Sequence, residues 1–276
     1  MKPLFPYPAI LYDDGQKKTL IITDLHIGYE YNLAKEGIYL PSQTKKILDK
    51  LIQILKEVKP NKLILLGDVK QAIPKIGIRE WKDVPDFFEK IINLVNNITV
   101  ILGNHDGDLE PLTPPSVNIV KSSGILIKNN FKIGLFHGHA WPAPEVLSAD
   151  ILVMGHVHPI VKFYDKFGYT IIRQVWMKIK CDGRSLAAAY LKHMKIKNSE
   201  DQKKTFSKNF NATIKDPTLI VIPAFNEALG GISVEQNQKK WIGPILKNCG
   251  ANSNKIDLHL LDGTYLGAAS GLPICF

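Results

Sequence analysis

The chain has 276 residues, 45% of them hydrophobic and 22% charged, a balance that describes a globular protein with a sizeable core and leaves out intrinsic disorder. No uninterrupted apolar stretch reaches the roughly 18 residues that a membrane-spanning helix needs, which excludes a transmembrane protein of that kind. Lys and Arg number 35 against 26 Asp and Glu, a formal charge of +9 that suits a polyanionic partner such as nucleic acid, although a lysine-rich composition gives the same excess without one.

The first segment, MKPLFPYPAI, carries one Lys and three prolines and makes a poor secretory signal, so the expected location is the cytoplasm. Leu4 to Tyr12 alternates loosely, Asp13-Asp14-Gly15 supplies a turn and Lys18 to Thr23 is a second apolar run, which predicts a β-hairpin. From Ser42 to Lys59 the apolar residues Ile47, Leu51, Leu55 and Val58 recur at helical spacing, started by Pro41-Ser42 and stopped by Pro60. Lys62 to Leu66 reads as a buried strand, Pro85 to Val95 as a second amphipathic helix and Ile98 to Leu102 as the next strand. Strands and helices alternating in this way predict a sheet with parallel members and helices on its faces. Ile125 to Phe136, turning at Asn129-Asn130, then Ile151 to Met154, Ile160 to Tyr164 and Tyr169 to Arg173 predict a second, more antiparallel sheet. Residues 195 to 216 are polar and rich in Lys, Asn and Ser and read as a loop or linker, after which Thr218 to Ile222 and Ile256 to Leu261 read as strands. Cys181, Cys249 and Cys275 lack CxxC spacing, which predicts reduced, structural thiols.

The polar residues fall where the strands stop. Leu20 to Thr23 ends in Asp24-Leu25-His26, Leu63 to Leu66 in Gly67-Asp68, and Val100 to Leu102 in Gly103-Asn104-His105-Asp106. Ile133 to Phe136 ends in His137-Gly138-His139 and Ile151 to Met154 in Gly155-His156-Val157-His158. In open α/β sheets the carboxyl ends of strands line one rim where ligands bind, so side chains scattered along the chain converge. On extended segments Asp24 and His26, His137 and His139, and His156 and His158 point the same way in pairs. A single Gly-Asp is ordinary turn chemistry and a single buried His is usually a core residue, but five such strand ends in one chain point to a metal site. Carboxylate, imidazole and amide donors without thiolates suit Mn, Fe, Co or Zn, and the number of donors is enough for two ions sharing a bridging carboxylate.

The ordered set DLH (24–26), GD (67–68), GNHD (103–106), HGH (137–139) and GHVH (155–158) resembles the calcineurin-like metallophosphoesterases. A narrower similarity, carried by ITDLHIGYE, LAKEGIYLPSQT, GNHDGDLE, HGHAWP, GHVHP, LIVIPAFNEALGG and LLDGTYLG, is to archaeal phosphoesterases related to the nuclease subunit of double-strand-break repair complexes and to bacterial ligase-associated DNA damage response endonucleases. The resemblance implies an α/β fold, a four-layer α/β/β/α sandwich of two mixed β-sheets flanked by helices. It implies one domain over 1–276, with a motif-bearing core at 1–175 and an extension at 176–276 that completes the sandwich. It further implies two divalent ions, Mn²⁺ first with Fe, Zn, Co or Ni as alternatives. Asp24, His26, Asp68 and His158 would hold one, and Asp68, Asn104, His137 and His156 the other. His105 would act as general acid or charge stabiliser, oriented by Asp106, and His139, Lys70 and Arg79 are candidate substrate contacts. The expected activity is phosphodiester hydrolysis, as a nuclease linked to DNA repair, with nucleic acid and an Lhr-type helicase as partners. The alternatives are a small-molecule phosphodiesterase or phosphatase acting on cyclic or other nucleotides, and a non-catalytic helicase-associated nucleic-acid-binding module. Many members of the superfamily carry an acidic residue three positions after the Gly-Asp aspartate; here Gln71 stands there and brings no charge.

Overall fold

In a computed structural model of the protein, the described residues are 1–164, 166–197, 200–234, 241–249 and 255–271. Cys275 lies outside them. The chain divides into two compact units, one of Met1–Lys121 with Ala224–Gly230, the other of Ser122–Pro223 with the described residues of Gly231–Phe276.

Unit 1 is built on a six-stranded sheet in the order β1 (Lys2–Pro3), β2 (Ile10–Asp13), β3 (Lys18–Ile22), β4 (Lys62–Leu65), β5 (Ile98–Ile101), β6 (Asn118–Val120). The predicted hairpin is β2–β3, antiparallel with Ile10 opposite Ile21. From β3 to β6 neighbours are parallel, and parallel neighbours require a crossover between them. α1 (Tyr29–Lys35) and α2 (Gln43–Val58) join β3 to β4, and α3 (Glu80–Ile92) joins β4 to β5. In α2 the Ser42 hydroxyl accepts from the Lys45 amide at 3.4 Å, and the helix closes with Lys59 in the left-handed region just before Pro60. Its buried face is Ile47, Leu48, Leu51, Ile54 and Leu55, each contributing about 1.5–3 kcal/mol by leaving water. β3, β4 and β5 are almost wholly buried, as apolar runs covered on both faces must be.

α3 begins five residues ahead of the predicted Pro85. Pro85 therefore sits inside the helix, where its missing N–H forgoes only the bond to the Trp81 carbonyl in a solvent-facing first turn.

Among its described residues unit 2 carries nine strands: β7 (Ile125–Lys128), β8 (Lys132–Leu135), β9 (Ile151–Met154), β10 (Pro159–Tyr164), β11 (Thr170–Lys180), β12 (Thr218–Val221), β13 (Ile232–Ser233), β14 (Ile256–Leu260) and β15 (Tyr265–Ala268). β8, β9 and β12 run parallel, while β7–β8, β10–β11, β11–β12, β11–β14 and β14–β15 are antiparallel. Both sheets are mixed and helices accompany each, as expected. β11 is much longer than predicted: its first half pairs with β10 and its second with β12 and β14, which lets one strand serve three ladders.

The helices of unit 2 are α4 (Pro144–Leu147), α5 (Gly183–His193), α6 (Gln202–Phe210) and α7 (Pro244–Asn248). The stretch predicted as a linker thus contains a helix. Asp201 caps it by accepting from the Lys204 amide at 3.0 Å, and Phe206 and Phe210, one turn apart, pack on Tyr190 of α5 with ring centroids at 5.4 and 5.2 Å. Two aromatic anchors among polar residues are enough to dock it. Cys181 and Cys249 are buried free thiols. A hydrogen bond with Cys249, followed by burial, pushes the Cys181 thiol well above its ordinary range. No helix among the described residues is long and apolar enough to cross a membrane.

Candidate metal centre

In unit 1 the loops that follow β3 and β4 are laced together by backbone bonds. The amides of Asp24, His26 and Ile27 donate to the carbonyls of Gly67, Asp68 and Val69 at 3.1, 2.9 and 2.8 Å, and Gln71 N–H returns to Ile27 O at 3.0 Å. Residues 24–26 are not extended. Asp24, His26 and Asp68 have φ of 57°, 45° and 52°, a left-handed backbone that costs a non-glycine residue energy, and His156 and His158 in unit 2 share it at 69° and 46°. Asp24 and His26 come to one side through two left-handed residues separated by Leu25, rather than through strand alternation. Among the described residues, the other non-glycine ones with positive φ, Lys59, Lys195 and Asn211, all lie just after helices, where the conformation is routine. Strain is thus stored at five of the seven residues the sequence offers as ligands.

Asp24 and Asp68 are buried and so is His26. Thr23 Oγ1 donates to Asp24 Oδ2 at 3.0 Å, and the His105 amide donates to Asp68 Oδ1 at 2.9 Å. His26 Nδ1 lies 2.7 Å from the Gln71 side-chain oxygen. That oxygen only accepts, so Nδ1 carries a proton and Nε2 is the ring nitrogen turned toward the carboxylate of Asp68. Nε2 faces Asp68 Oδ2 at 3.5 Å. Either a second ring proton or a metal cation can join an imidazole nitrogen and a carboxylate oxygen that face each other at this separation. The imidazole and carboxylate donors of His26 and Asp68 fit a borderline divalent ion, and a ring nitrogen of His105 lies within 4.8 Å of both, close enough to act beside such an ion. Gln71 lacks the charge of an acidic residue but does the orienting work of one.

Gly103 has its physical reason here: a Cβ would fall 2.1 Å from Asp68 Oδ1 and 2.4 Å from Asp68 N. Asp106 is fully buried and accepts from the amides of Gly103 and Val69, both at 2.9 Å. Its carboxylate thereby fixes the GNHD turn against the turn after β4, and the ring of His105 is held by Gln71, whose carbonyl lies 2.6 Å from Nδ1. His105 and His26 meet edge to face at 4.7 Å. Asn104 is exposed at the tip of the turn. Lys70, expected to touch substrate, is 1% exposed and its ammonium donates to the Ala72 carbonyl. The following residues curl back over it, which takes it out of reach of solvent. Arg79 is exposed, with its guanidinium 5.5 Å from the Tyr31 ring centroid.

Three positioning residues of unit 1 escape a reading of the sequence. Buried Glu80 accepts from the amides of Gln71, Ala72 and Gly77 at 2.9, 2.6 and 2.7 Å and so anchors the loop that presents Gln71. Buried Glu30 accepts from the Gln43 amide at 3.0 Å, at the start of α2. Asn226 sends its side-chain amide to Leu25 O at 3.0 Å, while Phe225 N–H meets Thr23 O at 2.9 Å. The PAFNEALGG segment therefore returns from far along the chain to brace the first motif. Lys50 clamps it from the other side, donating to Phe225 O at 2.6 Å and to Glu227 at 2.8 Å; burial lowers the Lys50 pKa against the opposing pull of Glu227. Glu30 and Asn226 lie inside the quoted motifs, whereas nothing local marks Glu80.

In unit 2, β8 and β9 are parallel neighbours, so the HGH and GHVH turns leave adjacent strand ends. The rings of His137, His139 and His156 gather with centroids 5.3, 5.0 and 6.0 Å apart. His137 is buried, and His139, His156 and His158 are half-buried. Gly243 packs on this group: a Cβ would lie 2.4 Å from Gly138 O and 3.6 Å from His156 Cδ2. Trp141, half-buried, stacks near Tyr190 and His193 with centroids at 5.3 and 5.9 Å, while Trp81 of unit 1 is 54% exposed.

A sequence profile described as Calcineurin-like phosphoesterase matches residues 17–184. Among solved structures, the chain is similar to a Pseudomonas putida nuclease, MPE, at 16% identity over 92% of this chain and 95% of that one, TM-score 0.45. It is also similar to the Escherichia coli phosphoesterase Yfce at 18% identity over 53% and 72%, TM-score 0.35. A conserved protein of Streptococcus pneumoniae, a predicted phosphoesterase, aligns at 11% identity over 93% and 94%, TM-score 0.30. No curated protein matches the chain.

Proposed function

Since the chain belongs to the calcineurin-like phosphoesterase family, we propose that it is a divalent-metal-dependent phosphodiesterase whose substrate is nucleic acid. The observation that carries the metal dependence is the close donor group in unit 1, His26 Nε2 oriented by Gln71 and 3.5 Å from the Asp68 carboxylate. The residues proposed as ligands are Asp24, His26, Asp68 and Asn104 in unit 1 and His137, His156 and His158 in unit 2. Two divalent ions, when bound, supply hydroxide near neutrality and polarise the phosphoryl oxygens. His105 supplies the proton chemistry: with Nδ1 tied to the Gln71 carbonyl at 2.6 Å, Nε2 is the nitrogen that holds or delivers a proton to the departing alkoxide. Asp106 and Glu80 position the turns that carry His105 and Gln71.

Nucleic acid as substrate is supported by the +9 charge and by Trp81, exposed and able to stack on an unpaired base. A role in DNA repair belongs to the same reading. The test is incubation of metal-stripped protein plus Mn²⁺ with labelled single- and double-stranded oligonucleotides beside a nitrophenyl phosphodiester, with Asp68→Ala as control. Oligonucleotide cleavage that vanishes in the control supports the reading. Hydrolysis of the small ester alone transfers the substrate to small phosphodiesters, and oligonucleotide binding without hydrolysis of either under any metal transfers the protein to the non-catalytic class.

A further inference from the structure

Away from the histidines, unit 2 holds a groove of about 850 Å³ whose floor is Ala188 and Ala189 of α5 and whose walls carry Lys192, Lys195, Lys197 and Lys247. All four lysines are exposed, and no carboxylate lines the groove among the described residues. Lysines near a helix C-terminus are ordinary, because they offset its partial negative charge, and Lys192 and Lys247 have that position. The sum decides against that explanation alone. Two helix ends contribute about half a negative charge each, whereas the walls bring four ammonium groups from two separate segments. The concave surface stays cationic, and its small Ala188 and Ala189 give room for a chain, with half-buried Ile196 the one bulky apolar side chain among its described lining residues.

The groove is joined to the histidine group by two packed paths. α7 starts at Gly243, which touches Gly138 and lies beside His156, and ends at Lys247 and Asn248; at about 1.5 Å rise per residue, Lys247 stands roughly 6 Å along the helix from that contact. From the other side, HGHAW runs from His137 to Trp141, which packs on Tyr190 and His193, and His193 follows Lys192 in α5. We infer that this groove is a phosphate track that grips a nucleic-acid strand beyond the histidines. The inference rests on the nucleic-acid reading above for its link to hydrolysis, but the binding it describes needs no metal.

The test measures binding of a labelled single-stranded oligonucleotide in EDTA, as a function of salt, by wild type and by a Lys192→Gln, Lys195→Gln, Lys197→Gln, Lys247→Gln variant. Circular dichroism checks the fold, and single Lys192→Glu and Lys247→Glu variants stand in if the fourfold one is misfolded. The expected result is an affinity loss of about tenfold or more and a salt slope smaller by about 2 to 3, the value for four lost phosphate contacts on a single strand. Mn²⁺-dependent hydrolysis of the nitrophenyl phosphodiester stays unchanged. Equal affinity and equal slope in the variants overturn the phosphate track, as does binding confined to anionic phosphatidylserine vesicles. Failure of wild type to hydrolyse either the ester or an oligonucleotide overturns the catalytic reading instead, and the EDTA binding arm still decides the groove.

Discussion

Unit 1 and unit 2 each offer a group of ligand-type residues at parallel strand ends, but they hold it by different physics. In unit 1 the group includes the buried carboxylates Asp24 and Asp68, and the surroundings are backbone amides, Gln71 and the anchoring carboxylates Asp106 and Glu80. In unit 2 it is imidazole packed on imidazole, with Gly243 closing over it. Unit 1 therefore brings buried negative charge, held by hydrogen bonds and an imidazole, that a cation would complement, while unit 2 brings imidazole donors alone.

That contrast is sharpened first by Asp68→Ala. Removing the carboxylate that faces His26 is expected to lower hydrolysis by roughly 1,000-fold or more, since a metal clamp is worth several kcal/mol. Turnover and metal content measured by mass spectrometry should fall together, and retained metal with lost turnover would break the assignment. His105→Ala comes next, with turnover down about 100- to 10,000-fold and metal content nearly intact. Gln71→Leu, which deletes the acceptor for His26 Nδ1, is expected to weaken Mn²⁺ affinity about 10- to 100-fold. Gln71→Glu should keep it, and equal losses in both variants would mean that the oxygen does not orient the ring. Gly103→Ala should cost about 1–3 kcal/mol in chemical denaturation, because its methyl group would collide with Asp68.

The smallest effects belong to unit 2. Asp182→Ala removes the cap of α5, whose side chain accepts from Arg184 N and Ser185 N, at a cost of about 1 kcal/mol. Asp182, Asp216 and Asp150 have folded pKa values lowered from 3.8, by the Ser185 hydroxyl, by Lys203 and by Lys215 respectively. Depressed carboxylates contribute stability above the unfolded value and lose it as pH falls through 3.8 toward the folded values. Urea midpoints should therefore drop between pH 5 and pH 3, and less steeply in Asp182→Asn.

The sequence makes the strands and their polar ends legible because burial on both faces writes continuous apolar runs, and a run can only stop where the side chains turn polar. α2 is legible through its stripe and its Ser42 and Pro60 boundaries. α5 carries an equal signal, Asp182 followed by Leu186, Ala187, Tyr190 and Leu191 at helical spacing, yet its Gly183-Arg184-Ser185 start mimics a turn. α6 hides because two rings dock nine residues that are otherwise polar. Within the site, the residue types are plain and the orienting contacts are not. Glu80 meets Gln71, and Asn226 meets Leu25, across 9 and 201 positions of chain, and such pairings are settled by folding rather than by local pattern.

The thiol pair at the end of β11 and α7 turns unit 2 into its own clock. A cysteine attacks an alkylating reagent only as thiolate, so Cys181, buried and held protonated beside Cys249, is silent toward such reagents while the unit stays closed. With Cys275 replaced by Ser, the rate at which iodoacetamide reaches this pair counts the openings of β11 and α7 against the core. Since α7 also carries Lys247, protection of the pair by an oligonucleotide would time strand release at the groove without any label on the nucleic acid.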